Sequence, residues 1–318
     1  MMKPSVSIVL EWETVLAAGT PRGVRCLAAM AREMRDYGDG AEMIICFDGN
    51  ESPAGAAREA GIDCQIVEVP ADLDYYGKKN FGFTRTKGDI VVFLDSDLIP
   101  EPGWLASLIE PFSDFRKSVV VGRTHLDTAT IYDRAVALFW IFDTRESSAA
   151  VRPTKRLVSN SVAFRRSVFT HFQFPKRPTF RGPCSELALT LEARNIPMFE
   201  QTAARASHPA PSGARQFLSR AFHAGRDQRF YDTLDGNSSF MQCLRQWRVD
   251  LKHVRERIAQ RRRDIDADWA SVAFAFILGC LYYSTKALGY LTVVATAALS
   301  GRGAAKGSGT YTGTASGS

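Results

Sequence analysis

Four short apolar runs, separated by helix-like segments, constrain the first hundred residues most strongly. The runs are "VSIVL", "EMIICF", "CQIVEV" and "IVVFL", at residues 6–10, 42–47, 64–69 and 90–94. Short apolar runs of this kind are typical of buried strands. The segments between them, at residues 23–36, 54–60 and 77–86, have the composition of helices. This alternation predicts an α/β fold with a mostly parallel sheet and helices on both faces.

Acidic residues follow these strands at the points where the strands end. Asp48 follows the second run, and Asp95 and Asp97 follow the fourth, in the stretch "GDIVVFLDSDLIP". A buried carboxylate without a partner is costly, so two acids at the tip of a core strand indicate a ligand, unless they form a solvated turn with Asp97 as a helix cap. Open parallel sheets bind ligands at the carboxyl ends of their strands. The pattern predicts a site at this edge of the sheet.

The spacing of Asp95 and Asp97, with one serine between them, suits a hard divalent cation. Mg2+ and Mn2+ take oxygen ligands and complete their coordination with substrate phosphates. A cation held there would stabilise the charge that develops when a diphosphate leaves. The sequence therefore predicts Mn2+ or Mg2+ as the cofactor of a reaction with a diphosphate leaving group.

The chain also resembles a known family. The segments "VSIVL", "EMIICFDGNES", "KKNFG" and "KGDIVVFLDSDLIPEPGWL" occur in the order and spacing typical of family 2 glycosyltransferases. The resemblance extends to about residue 210 and implies the GT-A fold, which is Rossmann-like and binds nucleotide sugars. It implies that Asp48 and Lys79 bind the nucleotide, that Asp95 contacts the ribose or the metal, and that Asp97 ligates the metal.

Two further candidates follow from the same resemblance. The usual Pro-Thr-Tyr-Asn after the first strand is replaced by "EWET", so Glu11 and Trp12 become candidates for nucleotide-sugar binding. Trp12 either stacks on the base or belongs to the core. His208 occupies the place where some members have a further metal or diphosphate contact, although a lone histidine before proline is more often structural.

The family's catalytic base is missing from its usual place. Inverting transfer needs a group that takes the proton of the acceptor hydroxyl, and the family's Glu-Asp pair is replaced here by Pro183 and Cys184. A thiol is a poor base unless its surroundings lower its pKa. We expect Glu186, in the first turn of the following helix, to act as the base. The alternative is an ordinary acid favoured by the helix dipole.

The net charge of +6 is concentrated in one segment. Residues 245–263 hold eight Arg or Lys against two acids, a local charge of +6. The remainder of the chain is close to neutral, which argues against a nucleic-acid partner. Apolar residues spaced by three and four over residues 244–258 predict an amphipathic helix. This helix either lies on an anionic membrane surface or packs on the catalytic domain.

The 31 residues from 269 to 299 contain a single charge, Lys286. A helix of that length, at about 1.5 Å per residue, exceeds the ~30 Å hydrocarbon core of a bilayer. Because Lys286 divides the segment, we expect a re-entrant or in-plane helical pair that anchors the enzyme at the cytoplasmic face. The alternatives are one tilted span and a soluble hairpin. Arg226 and Arg229, in the linking segment, are candidate contacts to the acceptor or its diphosphate.

The chain is thus predicted to have four parts. They are a GT-A nucleotide-sugar-binding and catalytic domain (1–212), linking and basic amphipathic helices (213–265), an apolar membrane-associating segment (266–300) and a flexible tail (301–318). Six scattered cysteines without a CxxC pair favour a reducing compartment.

The predicted function is metal-dependent, inverting transfer of a sugar from a nucleotide-diphosphate sugar to a hydroxyl acceptor. The family resemblance implies a UDP-sugar, and the acceptor is either lipid-linked or a cell-envelope glycan. Two alternatives stay open. The stretch "LAAGTPRG" at residues 16–23 suggests a sugar nucleotidyltransferase, and the missing Glu-Asp pair suggests a non-catalytic nucleotide-sugar-binding relative.

Overall fold

The computed structural model describes residues 4–49, 51–145, 148–236 and 238–305, with residues 293–305 as backbone alone. Within these residues, one sheet contains strands β1 (Val6–Glu11), β2 (Ala41–Phe47), β3 (Gln65–Glu68), β4 (Ile90–Asp95), β5 (Ile99–Pro100), β6 (Val119–Leu126), β7 (Val151–Thr154), β8 (Ser161–Arg165) and β9 (Met198–His208). Their order is β3-β2-β1-β4-β8-β6-β9-β5, and β7 pairs with β9.

The helices of the same residues are α1 (Thr14–Ala18), α2 (Thr20–Tyr37), α3 (Ala54–Ala60), α4 (Tyr75–Phe83), α5 (Trp104–Ile109), α6 (Ile131–Phe139), α7 (Arg166–His171), α8 (Pro183–Ala193), α9 (Gly213–Leu234), α10 (Phe240–Arg261) and α11 (Trp269–Ala305). Helices α2, α3 and α5 pack on one face of the sheet. Helices α4, α7 and α8 pack on the other. The predicted layers are therefore confirmed.

Strand β4 shows why an unbroken apolar run forms the centre of this sheet. Val92 and Leu94 contribute to the core on one face, and Val91 and Phe93 contribute to the core on the other. Because side chains alternate along a strand, both faces of β4 must be apolar. The strand pairs in parallel with β1 from Val6↔Ile90 to Glu11↔Asp95, which brings the two acidic strand ends side by side.

The sheet is mixed rather than purely parallel. Strands β1 to β4 pair in parallel, as do β6 and β9. Strand β8 is antiparallel to both β4 and β6, and β5 and β7 are antiparallel to β9. The sequence pattern covered only the βαβ half of the chain, where a crossover helix makes consecutive strands parallel. Strand directions beyond residue 100 were outside that pattern.

Helices α6, α9, α10 and α11 enclose a second apolar core. In it, the ring of Phe217 from α9 lies 6.3 Å from that of Trp140 and 5.3 Å from that of Tyr282 on α11. Two glycines allow α9 and α11 to approach closely. A Cβ on Gly225 would lie 1.9 Å from the Lys286 carbonyl oxygen, and one on Gly289 would lie 2.1 Å from that of Phe222.

The amphipathic helix α10 packs on the domain, the second of its two predicted alternatives. Val254 and Ile258, from its apolar stripe, are buried in the same core. Arg257 and Arg261 donate to the carbonyl groups of Phe139 and Trp140 at the end of α6. Two of the eight cations in the basic segment therefore stabilise a helix C-terminus, where carbonyl groups lack partners.

The expected helical pair over residues 266–300 is wrong, because α11 is one continuous helix from Trp269 to Ala305. Lys286 does not interrupt it, because lysine is a good helix former, and its ammonium binds Asp250 Oδ2 of α10 at 2.7 Å. Within the described residues, Trp269–Thr292 is long and apolar enough to cross a membrane by length and composition alone, and a third of it is buried in the protein. The helix passes the predicted boundary at residue 300, and residues 306–318 of the predicted tail lie outside the described residues.

Candidate functional site

Asp95, at the end of β4, is held by two buried side chains. Its Oδ1 accepts hydrogen bonds from the Lys79 ammonium at 2.6 Å and from the Tyr75 hydroxyl at 2.5 Å. The same ammonium donates to the Ser159 carbonyl at 2.8 Å, and Lys79 is completely buried. Lys79, expected to bind the nucleotide, is therefore a buried partner that fixes Asp95.

Asp97 has a carboxylate oxygen that is buried without a protein partner. That atom is Oδ1, while Oδ2 lies 3.5 Å from His208 Nε2. His208 Nδ1 lies 2.6 Å from the Pro209 carbonyl, which can only accept, so Nδ1 carries the proton. Nε2 then faces the Asp97 carboxylate. A cation between these atoms would satisfy both.

Asp97 and His208 therefore fit a divalent cation. The bond from His208 Nδ1 to a carbonyl is the arrangement that orients metal-ligating histidines. Among the described residues, no group of three or more His, Cys, Asp or Glu side chains forms a complete metal site. Mg2+ and Mn2+ commonly take their remaining ligands from a diphosphate and water.

A cavity of about 670 Å³ adjoins Asp48, at the end of β2. Lys78 Nζ binds Asp48 Oδ2 at 3.0 Å and Glu13 Oε2 at 2.8 Å, so one ammonium joins two acids in its wall. The volume lies within the range typical of small-molecule sites. Asp48, predicted to bind the nucleotide, thus lines a cavity together with Lys78 and Glu13, which are not among the predicted residues.

Glu11 and Trp12 line neither this cavity nor a second one beside Asp95, which is described below. Glu11 is completely buried, and its Oε2 accepts the N–H groups of Glu13 at 2.6 Å and Thr14 at 3.0 Å. Burial, together with the nearby Asp95, raises the pKa of Glu11 to about 8. Trp12 is 2% exposed and packs against Gly23 of α2, so it belongs to the core, the second of its two alternatives.

A second cavity, of about 460 Å³, lies beside Asp95 and His208 and shares Tyr75, Tyr76 and Phe180 with the first. One part of its wall is apolar, and it is formed by Trp140, Ile141, Phe142, Leu157, Val158 and Phe180. Another part is charged or polar, and it is formed by Asn160, Arg181, Arg220, His223 and Asp227. The two cavities therefore meet at these shared aromatic residues, and the Tyr75 hydroxyl donates to Asp95 at the end of β4.

Glu186 does not line this cavity, which corrects its expected role. Arg177 Nε binds Glu186 Oε2 at 2.8 Å, and Arg177 Nη2 binds Oε1 at 2.5 Å, so a guanidinium occupies both oxygens. Cys184 does line the cavity. Burial raises the pKa of its thiol, which keeps it protonated and therefore a poor base.

Helix α9 brings to the cavity residues other than those predicted. Arg220, His223 and Asp227 line the wall, whereas Arg226 is exposed and Arg229 lies 5.5 Å from the ring of Tyr290. The spacing explains the difference, because positions i, i+3 and i+7 share one face of a helix and i+6 and i+9 do not. Applied to the sequence "RAFHAGRD", this spacing would have grouped Arg220 with Asp227.

Sequence comparisons identify relatives of this chain. The sequence pattern of glycosyl transferase family 2 matches residues 24–172. The pre-mycofactocin glycosyltransferase of Mycobacterium tuberculosis is 31% identical over 103 residues, which cover 32% of this chain and only 20% of that protein. The glucosyl-dolichyl phosphate glucuronosyltransferase of Haloferax volcanii is 23% identical, and the match covers 76% of this chain and 86% of that protein.

Two solved structures share the fold. A mannosyltransferase of Pyrobaculum calidifontis, solved with GDP-Man and Mn2+, superposes with a TM-score of 0.51 at 15% identity over 96% of this chain and 81% of its own. GalNAc-T7, solved with UDP, GalNAc and Mn2+, superposes with a TM-score of 0.50 at 12% identity, over 66% of this chain and 44% of its own. At such identities the likeness concerns the fold alone, and it confirms the predicted GT-A class.

Proposed function

We propose that this chain, whose residues 24–172 belong to glycosyl transferase family 2, transfers a sugar from a nucleotide-diphosphate sugar to a hydroxyl group of a lipid-linked acceptor. One observation carries the proposal. A cavity walled by Asp48 and a cavity walled by Asp227 share Tyr75. The Tyr75 hydroxyl donates to Asp95, and the nearby Asp97 has an unpartnered carboxylate oxygen. A donor and an acceptor bound in the two cavities would react where they meet.

On the donor side, the chain's own residues position the nucleotide and its diphosphate. The Asp48 carboxylate can accept hydrogen bonds from a base or ribose, and the Lys78 ammonium beside it can donate them. Asp97 and His208 would hold a divalent cation, which supplies neutralisation of the leaving diphosphate when bound. Lys79 keeps the Asp95 carboxylate in place, so this corner is organised before the donor binds.

On the acceptor side, the wall of the second cavity matches a sugar attached to a lipid phosphate. Arg181 and Arg220 can bind phosphate oxygens, since guanidinium groups suit phosphate geometry. The apolar part around Trp140 and Phe142 can accept hydrocarbon next to the head group. The name of the Haloferax relative, a transferase acting on a glucosyl-dolichyl phosphate, supports this choice of acceptor.

The outer faces of α10 and α11 support binding to an anionic membrane surface. On α11, exposed apolar side chains follow helical spacing, namely Trp269, Phe276, Ile277, Leu281 and Leu288. On α10, the exposed cations are Arg245, Arg248, Lys252 and Arg255. An apolar face beside a cationic one matches a bilayer interface with anionic lipids. Spanning would instead carry the Lys286–Asp250 pair into hydrocarbon, so we infer docking in the plane of the membrane, on the cytoplasmic side.

The test uses the full chain with UDP-glucose, UDP-glucuronic acid and GDP-mannose, each with and without Mn2+. A donor that binds the folded state should raise the melting temperature in the presence of Mn2+, and release of the nucleoside diphosphate should require the same ion. Asp97→Asn should abolish both effects. The matched control is Asp36→Asn, at an exposed acid on α2. Mn2+-independent turnover, or full activity of Asp97→Asn, would contradict the proposal.

A further inference from the structure

We propose that Asp227 is the catalytic base of this transfer, an inference that rests on the proposed function. Its carboxylate takes the proton of the acceptor hydroxyl as that oxygen forms a bond to the anomeric carbon. The bond from the anomeric carbon to the diphosphate breaks in the same step, and its electron pair leaves on the nucleoside diphosphate. Asp227 thereby supplies the group that Pro183 and Cys184 lack.

The lining of the second cavity singles out Asp227. Among the described residues that form its wall, the carboxylates are those of Asp95 and Asp227. Asp95 is already bound by Lys79 and Tyr75 on one oxygen and lies at the donor corner. Asp227 projects from α9 beside Arg220, on the wall we assign to the acceptor. A base must lie on the acceptor's side of the anomeric carbon, which would place it on this wall.

A backbone hydrogen bond fixes the orientation of the Asp227 side chain. Its Oδ2 accepts the N–H of Arg181 at 2.9 Å, and the residue is 9% exposed. The Arg181 guanidinium is in turn held by the Tyr282 hydroxyl of α11 at 2.9 Å. The Phe180 backbone also hydrogen-bonds this carboxylate, so the loop before α8 holds the side chain in the cavity wall. Helix α11 thus contributes to the position of the base.

The charges around Asp227 also suit a base. Burial raises the pKa of this carboxyl group, while Arg181 and His223 act in the opposite direction. Arg220 is the other charged residue of α9 in the same wall. A carboxylate with a raised pKa is a stronger proton acceptor than an exposed one.

The other candidate bases are weaker on the geometry. The buried Cys184 thiol stays protonated because burial raises its pKa. Both oxygens of Glu186 are bound by Arg177, outside the cavity. His208 faces Asp97 at the donor corner. His223, one turn before Asp227 on α9, is exposed and is the rival that the experiment must separate.

The experiment compares Asp227→Asn, Glu186→Gln and His223→Gln in the full chain with Mn2+. The probes are the donor that the wild type consumes fastest among the three named above and a glucosyl polyprenyl phosphate as acceptor. Asparagine can still accept the N–H of Arg181, so the fold should persist. We expect kcat of Asp227→Asn to fall about 100-fold or more, since a general base contributes about 10²- to 10⁴-fold. The donor Kd and the melting temperature should stay near the wild-type values.

Two further readouts separate a base from a structural residue. The decline of wild-type kcat towards low pH should disappear in Asp227→Asn, and formate should restore part of the activity of Asp227→Ala. Three results would overturn the assignment while leaving the proposed function in place. They are full turnover by Asp227→Asn, loss of turnover in His223→Gln or Glu186→Gln instead, and a pH profile that is unchanged in Asp227→Asn. A wild type that neither binds nor consumes any of the three donors would overturn the proposed function and, with it, this assignment.

Discussion

His208 Nε2 faces Asp97 Oδ2 at 3.5 Å, although the two residues are 111 positions apart in the sequence and lie on β9 and after β4. We predict that His208→Ala weakens Mn2+ binding about 10- to 100-fold, the range found when groups around a metal site are removed. The measurement is the Mn2+ concentration that gives half of the donor-dependent rise in melting temperature. His171→Ala, at the end of α7, is the matched control. Equal Mn2+ dependence of the two variants would exclude His208 from the site.

The Lys79–Asp95 pair should govern stability as well as the site. Lys79→Met leaves a buried carboxylate without its cation, which typically costs about 3–5 kcal/mol of unfolding free energy. Urea unfolding of the variant should show that loss. Adding Asp95→Asn should restore part of it, because the uncompensated charge is then removed. If the double variant is no more stable than Lys79→Met, the pair is not the source of the effect.

The buried Glu11 predicts a specific pH dependence of stability. Its pKa rises from an ordinary 4.5 to about 8 on folding, because of burial first and Asp95 second. A group that holds its proton more tightly in the folded state loses stability as the pH rises between those two values. Glu11→Gln, which mimics the protonated form, should therefore melt higher than the wild type at pH 8.5 and closer to it at pH 5.5. The control is Glu59→Gln, at an exposed position on α3. If the difference in melting temperature between Glu11→Gln and the wild type narrows with rising pH, the assignment is refuted.

The close approach of α9 and α11 should make one glycine intolerant of a methyl group. A Cβ on Gly225 would lie 1.9 Å from the Lys286 carbonyl oxygen, so Gly225→Ala must separate the helices and displace Asp227. An Ala in place of a helical Gly normally stabilises by about 0.5–1 kcal/mol, and this sign should reverse here. Chemical unfolding and the rate of donor turnover measure the two effects. Gly55→Ala is the control, because a Cβ there meets nothing within 4 Å.

The apolar face of α11 should determine binding to lipid. Ile277 and Leu281 are 63% and 46% exposed, and the double variant Ile277→Glu/Leu281→Glu should lose co-flotation with vesicles containing phosphatidylglycerol. The wild type should bind these vesicles better than pure phosphatidylcholine, and salt should weaken the preference. Leu189→Glu changes a leucine of α8 that is 65% exposed, and it should float as the wild type does. Equal flotation of all three proteins would argue against the proposed surface.

Local patterns in the sequence predicted the elements that local physics determines. The run from Ile90 to Leu94 had to be a central strand, because both alternating sets of side chains are apolar. Asp95 and Asp97 had to lie at a strand end, and parallel strands present those ends together. The spacing of Val254 and Ile258 likewise predicted one buried face of a helix, and all of these predictions agree with the structure.

Other features depend on contacts between residues far apart in the chain. Lys79 was assigned to the nucleotide, but its fully buried ammonium meets Asp95 and the Ser159 carbonyl. Glu186 is at the expected start of a helix, yet Arg177 occupies its carboxylate. Lys286, within the apolar helix α11, is paired with Asp250 of another helix. None of these partners can be deduced from spacing along the sequence.

Hydrophobic periodicity and strand-end chemistry act within a few residues, so the α/β core, the acidic corner and the buried face of each amphipathic element follow from the amino-acid sequence. Which carboxylates line the second cavity depends on tertiary packing, since Asp227 reaches it through the packing of α9 on α11. That packing depends on two glycines and on side chains contributed by four helices. Such an arrangement is fixed by the shapes of surfaces that meet only when the chain has folded.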